Sequence, residues 1–218
     1  MTDQPPKARR RGCLFYGCLT SVVLLGLLLG ALLLGLHYVK KTVDRFTDTR
    51  PMELPTVQMP QAEVRKLKTR VQSFQEAVAD HRPSAPLSLT SDDINVLLTH
   101  GAEQQPIKGR FYASLEGGQL KGDVSLPLDD LGFSMLKGRY LNGSATFTYS
   151  FRNGVLSVSP QTVLVKGAPL PEVWMQQLRH ENLAVGVVKD PQAAALLQGL
   201  EDIQIKDGTL IILPKQRK

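Results

Sequence analysis

FTYSFRNGVLSVSP, residues 147–160, alternates apolar with polar side chains on both sides of Asn153-Gly154. Alternation at a period of two marks a strand with one buried face. Asn-Gly between two such runs predicts a two-residue type I′ turn, because both central positions need positive φ. Setting the turn there pairs Phe151 with Leu156, Tyr149 with Val158 and Phe147 with Pro160. The opposite face then carries Thr148, Ser150, Arg152, Ser157 and Ser159. One face is aromatic and aliphatic and the other is wet, as in an antiparallel sheet covered on one side.

The same period continues on both sides of this hairpin. Phe111, Ala113 and Leu115 alternate up to Gly117-Gly118, and Leu120, Val124, Leu126 and Leu128 alternate beyond it. A last hairpin, IQIKDGTLIIL at 203–213, turns at Asp207-Gly208. Helical spacing appears elsewhere. Val64, Leu67, Val71, Phe74 and Val78 recur every three or four residues over 61–80. In TSDDINVLLTHG, residues 90–101, Thr90 or Ser91 can cap a helix whose positive end suits Asp92 and Asp93. Ile94, Leu97 and Leu98 give that helix an apolar face, and Gly101 can close it. Short helices are predicted through Trp174 and Leu178, and from Asp190-Pro191 through Leu200.

Toward the N-terminus the pattern is of another kind. From Cys13 to Val39 there is no Asp, Glu, Lys or Arg, and residues 19–36 read LTSVVLLGLLLGALLLGL. Roughly 20 apolar helical residues cross a hydrocarbon core of about 30 Å. A polar stripe, which a buried soluble helix would show, is absent. A cleaved signal peptide would also begin with Lys7 and Arg9–Arg11, but its apolar region is shorter and ends in small residues, whereas this run ends in Leu36-His-Tyr-Val-Lys-Lys41. The segment is therefore read as an uncleaved anchor in the lipid bilayer. Basic residues flank it on both sides; their concentration in the short tail predicts a cytoplasmic N-terminus and an extracytoplasmic C-terminal domain. In a bacterium that domain would be periplasmic. Gly26 and Gly30 form a GxxxG, a spacing that lets two helices approach and makes them candidates for a homodimer contact within the membrane.

Charge and composition exclude several classes. The chain has 26 basic and 20 acidic residues, of which four and one lie in 1–39, leaving 22 and 19 beyond. With no basic stripe interleaved with aromatics, nucleic acid is not an expected partner. The only cysteines, Cys13 and Cys18, lie at the start of the apolar segment, so the domain has neither a disulfide nor a thiolate zinc site. His37, His81, His100 and His180 lack metal-ligand spacing, and no P-loop, GxGxxG or GxSxG occurs. Ser134-Met-Leu-Lys137 matches SxxK, a pair that arises about once by composition alone in a chain this size, and its companion motifs are missing. Asp92-Asp93 reads as helix capping. Asn142-Gly-Ser144 fits the N-glycosylation pattern. No catalytic, cofactor or metal residue is assigned.

A basic tail, one transmembrane helix, the capped segment Leu89–Leu98 and an antiparallel meander together resemble the YpmS-like membrane proteins and the LmeA-like lipid-binding proteins. Val163–Leu170, a strand leading into Gly-Ala-Pro-Leu-Pro, resembles the corner of those ectodomains. The resemblance implies a tubular lipid-binding fold, in which a curved sheet wraps a helix around an apolar groove. It carries no site residue over.

The expected fold is α+β. A basic cytoplasmic tail (1–12) precedes a transmembrane helix (13–39) and a proline-containing juxtamembrane linker (40–60). An ectodomain (61–214) follows, in which helices 61–80 and 91–100 pack on a curved antiparallel sheet. The expected function is non-catalytic binding of lipid or another apolar envelope component, with Phe147, Tyr149 and Phe151 as groove candidates. Ala145 is the small neighbour whose replacement by Trp would fill such a groove. The alternative is a structural, assembly or protein-interaction factor of the cell envelope whose sheet face is a closed core.

Overall fold

The computed structural model describes residues 12–101 and 110–216. The chain divides into two compact units, parting between Arg45 and Phe46. The first is dominated by a single helix, α1 (Gly12–Phe46, 35 residues). From Leu24 onward it is long and apolar enough to cross a membrane, and none of that apolar stretch is buried within the protein. The helix does not stop at Val39, where the apolar run ends, but continues through Lys40–Arg45. Nothing between Val39 and Phe46 breaks a helix; the next proline along the chain is Pro51. Thr42 ties its hydroxyl to the Tyr38 carbonyl at 2.9 Å, so its polar group is satisfied inside the helix.

The second unit is α+β with two antiparallel sheets. Five strands form a meander in the order β2 (Phe111–Glu116), β3 (Gln119–Pro127), β4 (Tyr140–Arg152), β5 (Val155–Val165) and β6 (Ala168–Pro169). The register of the central hairpin is the one expected: Phe147↔Pro160, Tyr149↔Val158 and Phe151↔Leu156. Asn153 and Gly154 have φ of 51° and 76°, as a type I′ turn requires. A bulge in β5, at the step from Thr146 to Phe147 on β4, bends the pair.

The sequence predicts one curved sheet, and here the structure differs. The C-terminal hairpin, β7 (Leu200–Lys206) with β8 (Thr209–Pro214), does not join the meander. It pairs instead with β1 (Leu87–Thr90) in the order β1-β8-β7, Leu89 facing Leu210. α2 (Gln61–Ala79) buries Val64, Leu67, Phe74 and Val78 in a core shared with Leu87 and Leu89 of β1, Val96 of α3 (Ser91–Gly101) and Leu197 of α6 (Pro191–Gln198). Gly199, just after α6, faces α2 so closely that a Cβ there would lie 2.4 Å from Val78 Cγ1. α4 (Glu172–His180) and the short α5 (Val185–Lys189) complete the unit.

Caps follow the sequence closely. Thr90 Oγ1 accepts from the Asp93 amide at 3.2 Å while the Asp93 carboxylate accepts from the Thr90 amide at 3.1 Å, a reciprocal capping box opening α3. Asp190 accepts from the amides of Gln192 and Ala193 and opens α6. α3 also closes the outer edge of the meander. Asn95 donates to the Ala113 carbonyl (2.6 Å) and accepts from the Ala113 amide (2.8 Å), as a neighbouring strand would. Ser91 Oγ accepts from the Leu115 amide at 3.0 Å.

The segment expected to be a linker is fastened to the domain. The backbones of Asp48 and Tyr140 bond to each other in both directions, at 2.8 and 2.7 Å. Asn142 donates to the Arg50 carbonyl (2.8 Å), and its Oδ1 accepts from the Met52 amide (3.0 Å) and from the Ser125 hydroxyl (2.8 Å). Val57 and Met59 pack against the core. Prolines at 51, 55 and 60 hold this stretch extended, which lowers the entropy lost when it docks.

Candidate functional site

Residues of both sheets and of α3 line a cavity of about 560 Å³. Leu115, Leu120, Tyr149, Leu156 and Val158 line it from the meander; Leu89, Ile203, Ile205, Leu210 and Ile212 line it from the smaller sheet; Ile94, Leu97 and Leu98 come from α3. Each wall is the apolar face of an alternating or helical pattern, so the lining is a direct consequence of register. Leu115 sits opposite Leu120 and Leu120 opposite Phe147, while Tyr149 sits opposite Val158. Ile203 faces Ile212 and Ile205 faces Leu210.

Among the described residues, Tyr149 brings the one side-chain polar group into this lining. Its hydroxyl accepts from the Ile205 amide at 2.7 Å. Ile205 lies on β7, an edge of the smaller sheet, where no strand of that sheet is left to take outward-pointing amides. The phenol thus pairs an edge amide that burial would otherwise penalise, and it ties one sheet to the other.

The three aromatic candidates separate. Tyr149 borders the cavity. Phe151 packs against the hydrophobic core beneath α2. Phe147 lies beside Phe111 over Gly122, where a Cβ would come within 3.2 Å of the Phe147 ring and 2.9 Å of the Phe111 ring. Ala145 faces Gly122 and Val163, outside the cavity lining, and Val158 is the small wall residue better placed for a filling substitution. Gly26 and Gly30 lie one turn apart on α1, with nothing within 4 Å of a Cβ built at either. The walls supplied by β7, β8 and α3 did not emerge from the sequence as site residues. Their periodicity was legible, but the pairing of β1 with β8 that brings them opposite the meander was not.

Other singled-out residues have structural surroundings. Asp93 serves the capping box and pairs with Arg70 at 3.1 Å. Ser134 and Lys137 are exposed in and beside a single 3₁₀ turn in the loop between β3 and β4. Among the described residues no cluster of His, Cys, Asp or Glu could hold a metal ion. The glycosylation pattern at Asn142 meets a buried amide with both ends already hydrogen-bonded, so this Asn is not available as an acceptor in the folded domain. On the polar face of the meander, burial lifts the Asp123 carboxyl above its ordinary range; nearby Glu116 adds to the shift and Lys121 opposes it.

No protein-family model matches the chain, and neither a curated protein nor a solved structure matches it. The functional reading therefore rests on the geometry of this molecule.

Proposed function

We propose that α1 anchors the chain in a membrane and that the folded unit binds a lipid acyl chain, or an apolar molecule of similar bulk, in the cavity between its sheets. The observation that carries the reading is the cavity itself: about 560 Å³ walled by Leu, Ile and Val side chains and the Tyr149 ring. Such a volume falls within the roughly 300–1,000 Å³ of small-ligand sites. An assembly factor with a closed core has no use for so large an unfilled apolar space, which weakens the packing of every residue around it. The layout resemblance carried by Leu89–Leu98 and Val163–Leu170 points the same way. Catalysis and cofactors have no part in this reading. Its topology has the tail of residues 1–12 in the cytoplasm and the domain outside. A C-terminal alkaline phosphatase fusion active in a bacterial host supports that orientation, and an inactive one reverses it.

The deciding experiment uses the full chain in nanodiscs, a pyrene-labelled fatty acid and the variant Val158→Trp. With a true ligand cavity, the parent binds the probe and the variant does not, while its thermal midpoint stays near the parental value. In a close-packed core the same insertion costs about 1–3 kcal/mol. A destabilised variant together with a parent that binds no probe leaves the domain structural.

A further inference from the structure

Where the chain enters its folded unit, two exposed apolar features flank it. One is the loop of residues 128–139 between β3 and β4. Its last residue, Arg139, donates from Nε to the Thr47 hydroxyl, and the next, Tyr140, is paired with Asp48. The other is Trp174 near the start of α4, whose ring lies 5.3 Å from that of Phe46. The loop exposes Leu131 by 57 %, Phe133 by 65 % and Met135 by 45 %; Trp174 is 49 % exposed. Scattered apolar residues on a surface are ordinary. Three large ones within five positions, in a loop tied to Thr47 and Asp48 while Trp174 lies against Phe46, are not scattered.

The loop holds these side chains outward by design of its backbone. Two 3₁₀ turns are closed by the Leu131 amide on the Leu128 carbonyl and the Leu136 amide on the Phe133 carbonyl. The ends of the loop are joined by the Leu128 amide on the Arg139 carbonyl (2.9 Å) and the Gly138 amide on the Asp129 carboxylate (2.8 Å). Charge does not recommend an acidic or basic partner, since Asp129 and Asp130 are balanced by Lys137 and Arg139 within the same loop. Chain length supplies the occupant. Seven helical residues, 40–46, separate the end of the charge-free apolar run at Val39 from Thr47, which at ~1.5 Å per residue is about 10 Å of helix. That is close to the 5–10 Å or so over which interfacial side chains insert between headgroups and acyl chains.

We propose that Leu131, Phe133, Met135 and Trp174 form a docking surface for the same bilayer that α1 spans, inserting at the headgroup–acyl boundary. The attraction is apolar, so it operates on zwitterionic lipid and withstands salt. This rests on the membrane-anchor reading of α1 and is independent of the cavity ligand.

Trp174 is the only tryptophan in the chain, so its emission reports on the surface directly. The full-length protein is reconstituted in phosphatidylcholine vesicles with and without bromine on the upper acyl carbons. Brominated vesicles are expected to quench Trp174 by about twofold, the response of a side chain within interfacial reach. Leu131→Ser with Phe133→Ser should remove most of that quenching and leave the thermal midpoint unchanged, because both residues are exposed. Protein that resists carbonate extraction yet shows equal emission in the two vesicle types overturns this proposal alone. Protein released by carbonate overturns the anchor reading and this proposal with it. Disulfide-linked dimers of Phe133→Cys, made with Cys13 and Cys18 replaced by Ser, in the absence of quenching would show a second copy on the patch instead of lipid.

Discussion

The two ends of β4 are built from opposite chemistries. At the Tyr140 end, Asn142, Ser125 and the backbone of residues 48–52 form a buried network in which each amide and hydroxyl named has its partner. At the other end, Tyr149 borders a space with a single phenol among a dozen hydrocarbon side chains. Polar networks tolerate little displacement, because a buried donor that loses its acceptor costs about 1–3 kcal/mol. Hydrocarbon walls can shift by fractions of an ångström without leaving any group unpaired. The same strand therefore fixes the path of the incoming chain at one end and leaves room at the other.

Removing the network should have the largest effect. Asn142→Ala strands the Arg50 carbonyl, deprives the Ser125 hydroxyl of its acceptor and leaves the Met52 amide only Ser125 Oγ to donate to. A loss of about 3–4 kcal/mol is expected in thermal unfolding, together with new protease cleavage within residues 47–55. A loss under about 1 kcal/mol would mean that the segment is not held by this side chain.

At the apolar end the hairpin turn matters next. Gly154→Val places a β-branched residue at a φ of 76°, and a loss of about 2 kcal/mol is expected. Its added Cβ also meets the end of the Gln198 side chain at 2.7 Å, but that flexible end can move. An unchanged unfolding midpoint would argue against the turn and against the register that puts Tyr149 at the cavity.

Tyr149→Phe sharpens the comparison by deleting the lone polar contact of the cavity wall. The Ile205 amide loses its acceptor, and stability should fall by about 1 kcal/mol. Uptake of an apolar probe should persist, since no hydrocarbon is removed. Loss of uptake with stability intact would instead make the hydroxyl part of ligand recognition.

The smallest effect belongs to neither end but to the polar face between them. Asp123 titrates above its unfolded range, so its charged form is disfavoured in the folded state. The penalty is absent below the unfolded carboxylate range and complete once the pH exceeds the raised folded value. Asp123→Asn should therefore stabilise the domain at neutral pH, by no more than about 0.5 kcal/mol at this solvent-screened position. That gain should vanish as the pH is lowered through the carboxylate range. A gain that grows on acidification would reverse the assigned sign.

What could be read from residues alone was local. The Asn153-Gly154 turn determines its own register, Thr90 meets Asp93 three residues on, and Asp190-Pro191 caps the helix it begins. A second hairpin turn at Lys166-Gly167, with φ of 52° and 75°, escaped notice because the strand after it is two residues long. VGVVK, residues 185–189, is rich in β-branched residues yet forms a helical turn. What escaped most completely spans long separations. β1 meets β8 across more than a hundred residues, and Asn142 meets the backbone of Arg50 and Met52 across 92 and 90 positions of sequence. No periodicity within a segment encodes which distant segment it will face. The cavity is made by such a pairing, so only the Tyr149 side of it was open to sequence reasoning.

Asn95 carries a consequence beyond the fold it stabilises. A protein tethered to a membrane, as proposed for this chain, meets its own copies in two dimensions, at encounter rates that punish any unpaired strand. By occupying both backbone groups of Ala113, the Asn95 amide ends the ladder where another chain could have continued it. At the opposite margin of the meander β6 is only two residues long, and along the rest of β5 Asn182 and the Leu183 amide occupy backbone groups of Leu156 and Val158. Crowded copies of this domain are thereby denied the commonest route to edge-to-edge aggregation along the larger sheet.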